Sequence, residues 1–99
     1  MLERYVAKSE NIAYRIIDGQ ALVIFLGTTQ STEDRINVFN ETGTRIWELV
    51  DGRHRGKDIV DTLCSQFEVA IGVVQEELAQ FFNDLQGKRL ITFHDSSQR

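Results

Sequence analysis

Residues 39–52, Phe-Asn-Glu-Thr-Gly-Thr-Arg-Ile-Trp-Glu-Leu-Val-Asp-Gly, constrain the fold more than any other stretch of the chain. Asn40 is a good helix N-cap, because its side chain can accept a bond from an unpaired N–H of the first turn. Glu41 then faces the positive end of the helix dipole. Ile46, Trp47, Leu49 and Val50 form one apolar stripe, and Gly52 fits a left-handed stop. Phe39 closes a run, Arg35-Ile36-Asn37-Val38-Phe39, that alternates in the period of a strand. Ile36 and Val38 point one way; Arg35, Asn37 and Phe39 point the other. A strand therefore feeds a short amphipathic helix that carries the single tryptophan.

Upstream, residues 12–17 are rich in Tyr and Ile, and Asp18-Gly19 suits a tight hairpin turn that needs positive φ. The apolar run at 21–26 predicts a central strand covered on much of both faces. Residues 27–34 are a polar loop, so the first part of the chain is a β-meander ending at Phe39. Downstream, Ile59, Val60, Leu63, Cys64 and Phe67 recur at helical spacing over 57–67. Val74, Leu78, Phe81, Phe82 and Leu85 do so over 72–87. Residues 90–93, Leu-Ile-Thr-Phe, form a short strand or extended tail, and 94–99 are polar and frayed. Three helices and a final extended segment have the order of a winged helix-turn-helix. With 99 residues, 41% of them hydrophobic, one domain is expected, with its core between about 12 and 93.

Several functions are disfavoured. The net charge of −4 lacks the basic excess that phosphate contacts require. One basic cluster, Arg53, His54, Arg55 and Lys57, would be the means by which a winged-helix regulator bound DNA. The third helix, however, offers Glu76, Glu77 and Asp84 and no Lys or Arg. Carboxylates there would repel phosphates. Catalysis needs a nucleophile–base pair, a carboxylate dyad or a metal cluster. His54 and His94 are far apart in polar stretches, and Cys64 lies on an apolar stripe as a buried structural thiol. No metal spacing, cofactor loop or membrane-length apolar run is present. A non-catalytic protein of the reducing cytoplasm is expected, binding neither nucleic acid nor membrane.

The meander leaves the strand at 35–39 as a sheet edge. Its backbone can receive an extended peptide as an added strand, with apolar side chains docking in a groove against the third helix and acidic groups favouring Lys or Arg on the guest. An open edge also lets two copies pair as a homodimer.

The runs Ile36-Asn37-Val38-Phe39-Asn40-Glu41-Thr42-Gly43 and Ile46-Trp47-Glu48-Leu49-Val50-Asp51-Gly52 resemble the pyrroloquinoline quinone biosynthesis protein D superfamily. So do Ile59-Val60-Asp61-Thr62-Leu63 and the spacing of Val74, Glu77, Leu78, Phe81, Phe82 and Leu85. The resemblance covers about residues 12–93. It implies an α+β fold, a three-stranded antiparallel β-sheet packed on a winged helix-turn-helix trihelical unit. It further implies a recognition element of ribosomal peptide modification, a chaperone that captures the leader of a precursor peptide by β-strand addition. The leader would then be presented to a modifying enzyme, a radical S-adenosylmethionine protein in the namesake pathway. By position, the resemblance nominates Arg35, Ile36, Asn37, Val38 and Phe39 on the strand, and Val73, Glu76, Glu77, Gln80 and Asp84 on the third helix.

Overall fold

A computed structural model describes residues 2–27 and 35–98. The elements run β1 (Tyr5–Lys8), β2 (Ile12–Ile17), β3 (Gln20–Phe25), β4 (Ile36–Val38), α1 (Glu41–Leu49), α2 (Gly56–Phe67), α3 (Ile71–Gly87) and β5 (Ile91–His94). Most of the 27–34 loop expected from sequence lies outside the described residues. The meander is present as an antiparallel sheet in the order β2-β3-β4. Asp18 and Gly19 take φ values of 53° and 77°, the paired left-handed geometry of a tight hairpin turn.

Period-two alternation turns Ala21, Val23 and Phe25 of β3, with Asn37 of β4 and Phe39 just beyond it, toward the helices, where all are buried. The expectation that β3 is covered on both faces is corrected. Leu22 and Ile24 are only half-buried and Leu26 is exposed. Among the described residues the helices supply a layer on one face of the sheet alone.

The buried residues form a single apolar cluster that joins the sheet to all three helices. Trp47 is fully buried within it, between the rings of Tyr14 and Phe39, each with centroids 5.6 Å away in edge-to-face geometry. Thr44 fastens α1 to the sheet: its hydroxyl accepts from the Ala21 N–H at 2.7 Å and lies 3.4 Å from the Phe39 carbonyl, to which it donates. That hydroxyl takes the place of the last ladder bond between β3 and the end of β4. The Asn40 cap forms as expected, its Oδ1 accepting from the Gly43 N–H at 2.8 Å. At α2 the Asp58 carboxylate accepts from the Arg55 backbone N–H at 2.9 Å. Cys64 is half-buried rather than buried.

The larger departure is at the termini. Sequence patterning begins the core near residue 12, yet β1 pairs antiparallel with β5 across the length of the chain, and Val6 is fully buried. The other edge of β1 is stitched to the connection between α1 and α2. The Val6 N–H donates to the His54 carbonyl at 3.2 Å, and the Gly52 N–H donates to the Val6 carbonyl at 2.7 Å. Lys8 extends from β1 to the C-terminal end of α1, donating to the carbonyls of Trp47 and Val50, both at 2.8 Å. This ammonium satisfies the Val50 carbonyl and adds a second bond at the Trp47 carbonyl, which already accepts from the Val50 N–H at 3.1 Å. Its burial pulls its pKa below the ordinary lysine value, against the opposing pull of the Asp51 and Glu48 carboxylates. Within the C-terminal stretch expected to be frayed, Gln98 is anchored, its N–H donating to the Gly52 carbonyl at 2.7 Å.

Gly52 is therefore the crossing point of β1, the α1 end and the C-terminal segment. Its φ is 80°, and a Cβ there would lie 2.8 Å from Gln98 Cβ. Replacing Gly52 with alanine is expected to destabilise the fold by about 1–3 kcal/mol, through left-handed strain and displacement of Gln98. Urea unfolding at neutral pH measures this, and an unchanged midpoint would refute the role given to Gly52.

Candidate functional site

The β4 edge has a phase. In an antiparallel ladder, residues whose N–H and C=O bond the partner alternate with residues whose groups point away. The Phe39 N–H donates to the Ala21 carbonyl at 2.9 Å, and the Phe25 N–H donates to the Arg35 carbonyl at 2.8 Å. With Val23 opposite Asn37, residues 35, 37 and 39 thus turn their backbone toward β3. Ile36 and Val38 turn theirs outward, and no element among the described residues lies on that side of β4. Their side chains are also open, at 58% and 62% exposure. The expected edge strand is therefore present, and its available backbone narrows to two residues of the five nominated.

Beyond β4 a cleft of about 550 Å³ opens between the N-terminal end of α1, the C-terminal end of α2 and one side of α3. Its walls are apolar: Ile46, Leu63, Phe67, Val69, Val74, Leu78 and Phe81, with Asn40, Thr42, Gly43 and Glu77 at its polar margin. Phe39 joins strand to cleft, its ring 5.3 Å from that of Phe81 in edge-to-face geometry. Gly43 lets these groups approach, since a Cβ there would stand 3.2 Å from Phe39 Cβ and 3.6 Å from the Phe81 ring.

The helix nominations fall beside this cleft more than within it. Glu77 lines it, whereas Val73, Glu76, Gln80 and Asp84 are exposed positions on α3 outside the lining. Asp84 is partly neutralised by Lys88, 3.2 Å away. Spacing places Phe67, Val74, Leu78 and Phe81 on buried stripes; Val74 and Leu78 are indeed buried, whereas Phe67 is exposed and Phe81 only partly buried. Periodicity identifies an apolar side but not how fully it is covered. The signal available was the run of apolar residues at 67, 69, 71 and 73, too many for one short helix junction to bury. Phe67, Val69, Ile71 and Val73 are indeed all exposed.

Arg55 and His54 of the basic cluster are engaged within the fold, while Arg53 and Lys57 are exposed. The Arg55 guanidinium lies over the Tyr5 ring, 5.0 Å from its centroid, and His54 Nδ1 is 2.9 Å from Asp51 Oδ1. Burial alone would push the Asp51 carboxyl up. The His54 contact and the Arg53 N–H, bonded to Oδ1 at 2.8 Å, outweigh it and hold the carboxyl below its ordinary value. Because the folded carboxyl binds its proton less readily than the unfolded one, this contact stabilises the fold above about pH 4. That contribution disappears as the pH falls through the lowered folded value. Unfolding midpoints measured from pH 6 to pH 3 are expected to drop more for the native chain than for Asp51→Asn, and parallel curves would contradict it. Among the described residues no group of three or more His, Cys, Asp or Glu side chains is placed to hold a metal ion, and no helix is long and apolar enough to cross a membrane.

A three-stranded sheet on a winged trihelical unit, with an open edge running into an apolar cleft, defines a small α+β recognition-element fold. The chain belongs to the family described as Coenzyme PQQ synthesis protein D (PqqD), whose pattern matches residues 31–91. A solved structure described as TbiB1 in complex with the TbiA(beta) leader peptide is similar to it. The two share 25% sequence identity over 86% of this chain and 93% of that one, with a TM-score of 0.75. No curated protein matches the sequence.

Proposed function

We propose that this protein is a peptide-binding recognition element that captures the leader of a ribosomally made precursor peptide by adding it as a strand to β4. The observation that carries this is the outward backbone of Ile36 and Val38 on a strand that leads through Phe39 and Asn40 to the apolar cleft. Two outward N–H groups and two outward carbonyls fix the register of the guest. Each main-chain bond made contributes roughly 0.5–1.5 kcal/mol net. Side chains supply the rest. An apolar residue of the guest seated against Phe67, Leu78 and Phe81 contributes roughly 1.5–3 kcal/mol before the guest's ordering cost. Glu77 at the margin, with Glu76 and Asp84 further along α3, selects for Lys or Arg at flanking guest positions. The similarity to a leader-peptide complex supports the same class of ligand.

The protein itself supplies binding and presentation without catalysis. The chemistry falls to a partner enzyme that modifies the peptide, of the radical S-adenosylmethionine type in the namesake pathway, in the cytoplasm. Titrating the ¹⁵N-labelled protein with synthetic leader segments of precursor peptides encoded beside its gene tests the proposal. Amide shifts gathered at 35–39 and along the cleft support it; shifts scattered over the rest of the surface reject it.

A further inference from the structure

The sheet has a second edge. β2 is twice as long as β4, and its phase is also fixed. The Leu26 N–H donates to the Asn11 carbonyl at 2.8 Å, so residues 11, 13, 15 and 17 face β3. The backbone groups of Ile12, Tyr14 and Ile16 point outward, and no backbone bond from them to another element is present among the described residues. Apolar side chains are open on both faces of the strand, with Tyr14 51%, Ile16 43% and Ile17 49% exposed. Natural edge strands are ordinarily guarded by Pro, Lys, a bulge or a covering segment. The sequence Ile-Ala-Tyr-Arg-Ile-Ile carries no Pro and a single charge, Arg15, and its register with β3 runs unbroken over six residues.

We propose that β2 is the pairing edge for a second copy of this chain, which joins antiparallel about a two-fold axis at Tyr14 to give a continuous six-stranded sheet. Several features fit this occupant. The outward phase permits it, because pairing about residue 14 brings Ile12 opposite Ile16 of the second copy and Tyr14 opposite Tyr14. All three outward residues then bond at once. Pairing about residue 15 would place Arg15 against Arg15, whereas this register sets Arg15 opposite Ala13 and leaves no like charges facing within the ladder. The aliphatic and aromatic cross-strand pairs are of the favourable kind. Just past each end of the ladder, Glu10 lies near Asp18 of the second copy, and each molecule carries a net charge of −4. The six-residue contact is also small beside the ~800 Å² per partner of a stable interface. The dimer is therefore weak and strengthens as salt screens the acids. A peptide strand has no such two-fold match to β2, and the apolar cleft lies at the β4 side, with no β2 residue in its lining.

The pairing neither needs nor blocks peptide capture at β4, so the two proposals fail separately. Sedimentation equilibrium of the native chain from roughly 10 μM to 1 mM, in low and high salt, is expected to show reversible dimerisation that tightens with salt. Ile16→Pro removes an outward N–H that β3 does not use, so the fold is retained while the dimer dissociation constant rises at least about tenfold. Ile16→Lys, which keeps the N–H and sets a charge against Ile12, gives the same result if the proline variant fails to fold. In a Cys64→Ser background, mixing Ala13→Cys and Arg15→Cys chains is expected to give a disulfide several-fold faster than either chain alone, since these positions face each other at the close-paired sites. A monomer throughout the range, a dimer indifferent to both Ile16 substitutions, or crosslinking that does not favour the mixed pair would each overturn the proposal.

Discussion

Val38→Pro is expected to abolish capture of a guest strand while leaving the fold in place. The Val38 N–H points away from β3, so its loss removes no bond of the sheet. Proline is tolerated at such an outward position of an edge strand, and the preceding Asn37 is already in the extended conformation that a following proline favours. For the guest the change is severe. One of two outward donors is lost, and the pyrrolidine ring occupies the line of approach. The loss of a main-chain bond together with displacement of the strand is expected to weaken binding by on the order of a hundredfold, close to 3 kcal/mol. The control is Asn37→Pro, one residue away, whose N–H faces β3; that substitution should disturb the sheet itself. Calorimetric titration with the same leader segment, beside an amide spectrum for each variant, measures both. Undiminished binding by a folded Val38→Pro chain would place the guest elsewhere.

Trp47→Ala is expected to cost about 3–5 kcal/mol, the range for removing a large aromatic residue from a packed core. A domain of this size is stable by only roughly 5–15 kcal/mol, so the variant lies near the point of unfolding. The position explains the size of the effect. Trp47 is fully buried, and its ring contacts Tyr14 of β2 and Phe39 after β4. The Lys8 ammonium sits 5.0 Å from its centroid, tying β1 to the same point. Removing the indole therefore loosens both sheets from α1 and withdraws support from Phe39, which links β4 to the cleft through Phe81. Urea unfolding followed by far-ultraviolet circular dichroism gives the number. A loss under about 1 kcal/mol would mean that the core closes around the vacancy, contrary to the close packing of interiors.

Much of this was legible in sequence because the signals are local. Alternation at Ile36, Asn37, Val38 and Phe39 correctly separated open from buried positions. The Asp18-Gly19 turn and the Asn40 cap were identified from their backbone chemistry. The pairing of β1 with β5 was not legible, because Tyr5–Lys8 is four residues long and gains its meaning only from a partner at the other end of the chain. Lys8 reads as polar for the same reason: its carbonyl partners lie on a helix about forty residues away. The cleft was half legible. Apolar spacing assigned Leu78 to the core correctly and sent Phe67 and Phe81 with it, because hydrophobicity marks a side without saying how fully it is covered. The α3 positions chosen instead, Val73, Glu76, Gln80 and Asp84, depend on the rotation of that helix, which three-dimensional packing sets.

Hydrogen exchange of single backbone amides, with and without a leader segment, tests peptide capture most directly. Phe39, whose N–H already bonds the Ala21 carbonyl, should be protected in the free protein, as should Asn37. Ile36 and Val38 should exchange quickly until the guest arrives and then slow together. If those two amides keep exchanging freely at saturating peptide, or if the slowing falls on Ile12, Tyr14 and Ile16, strand addition at β4 is not how this protein holds its ligand.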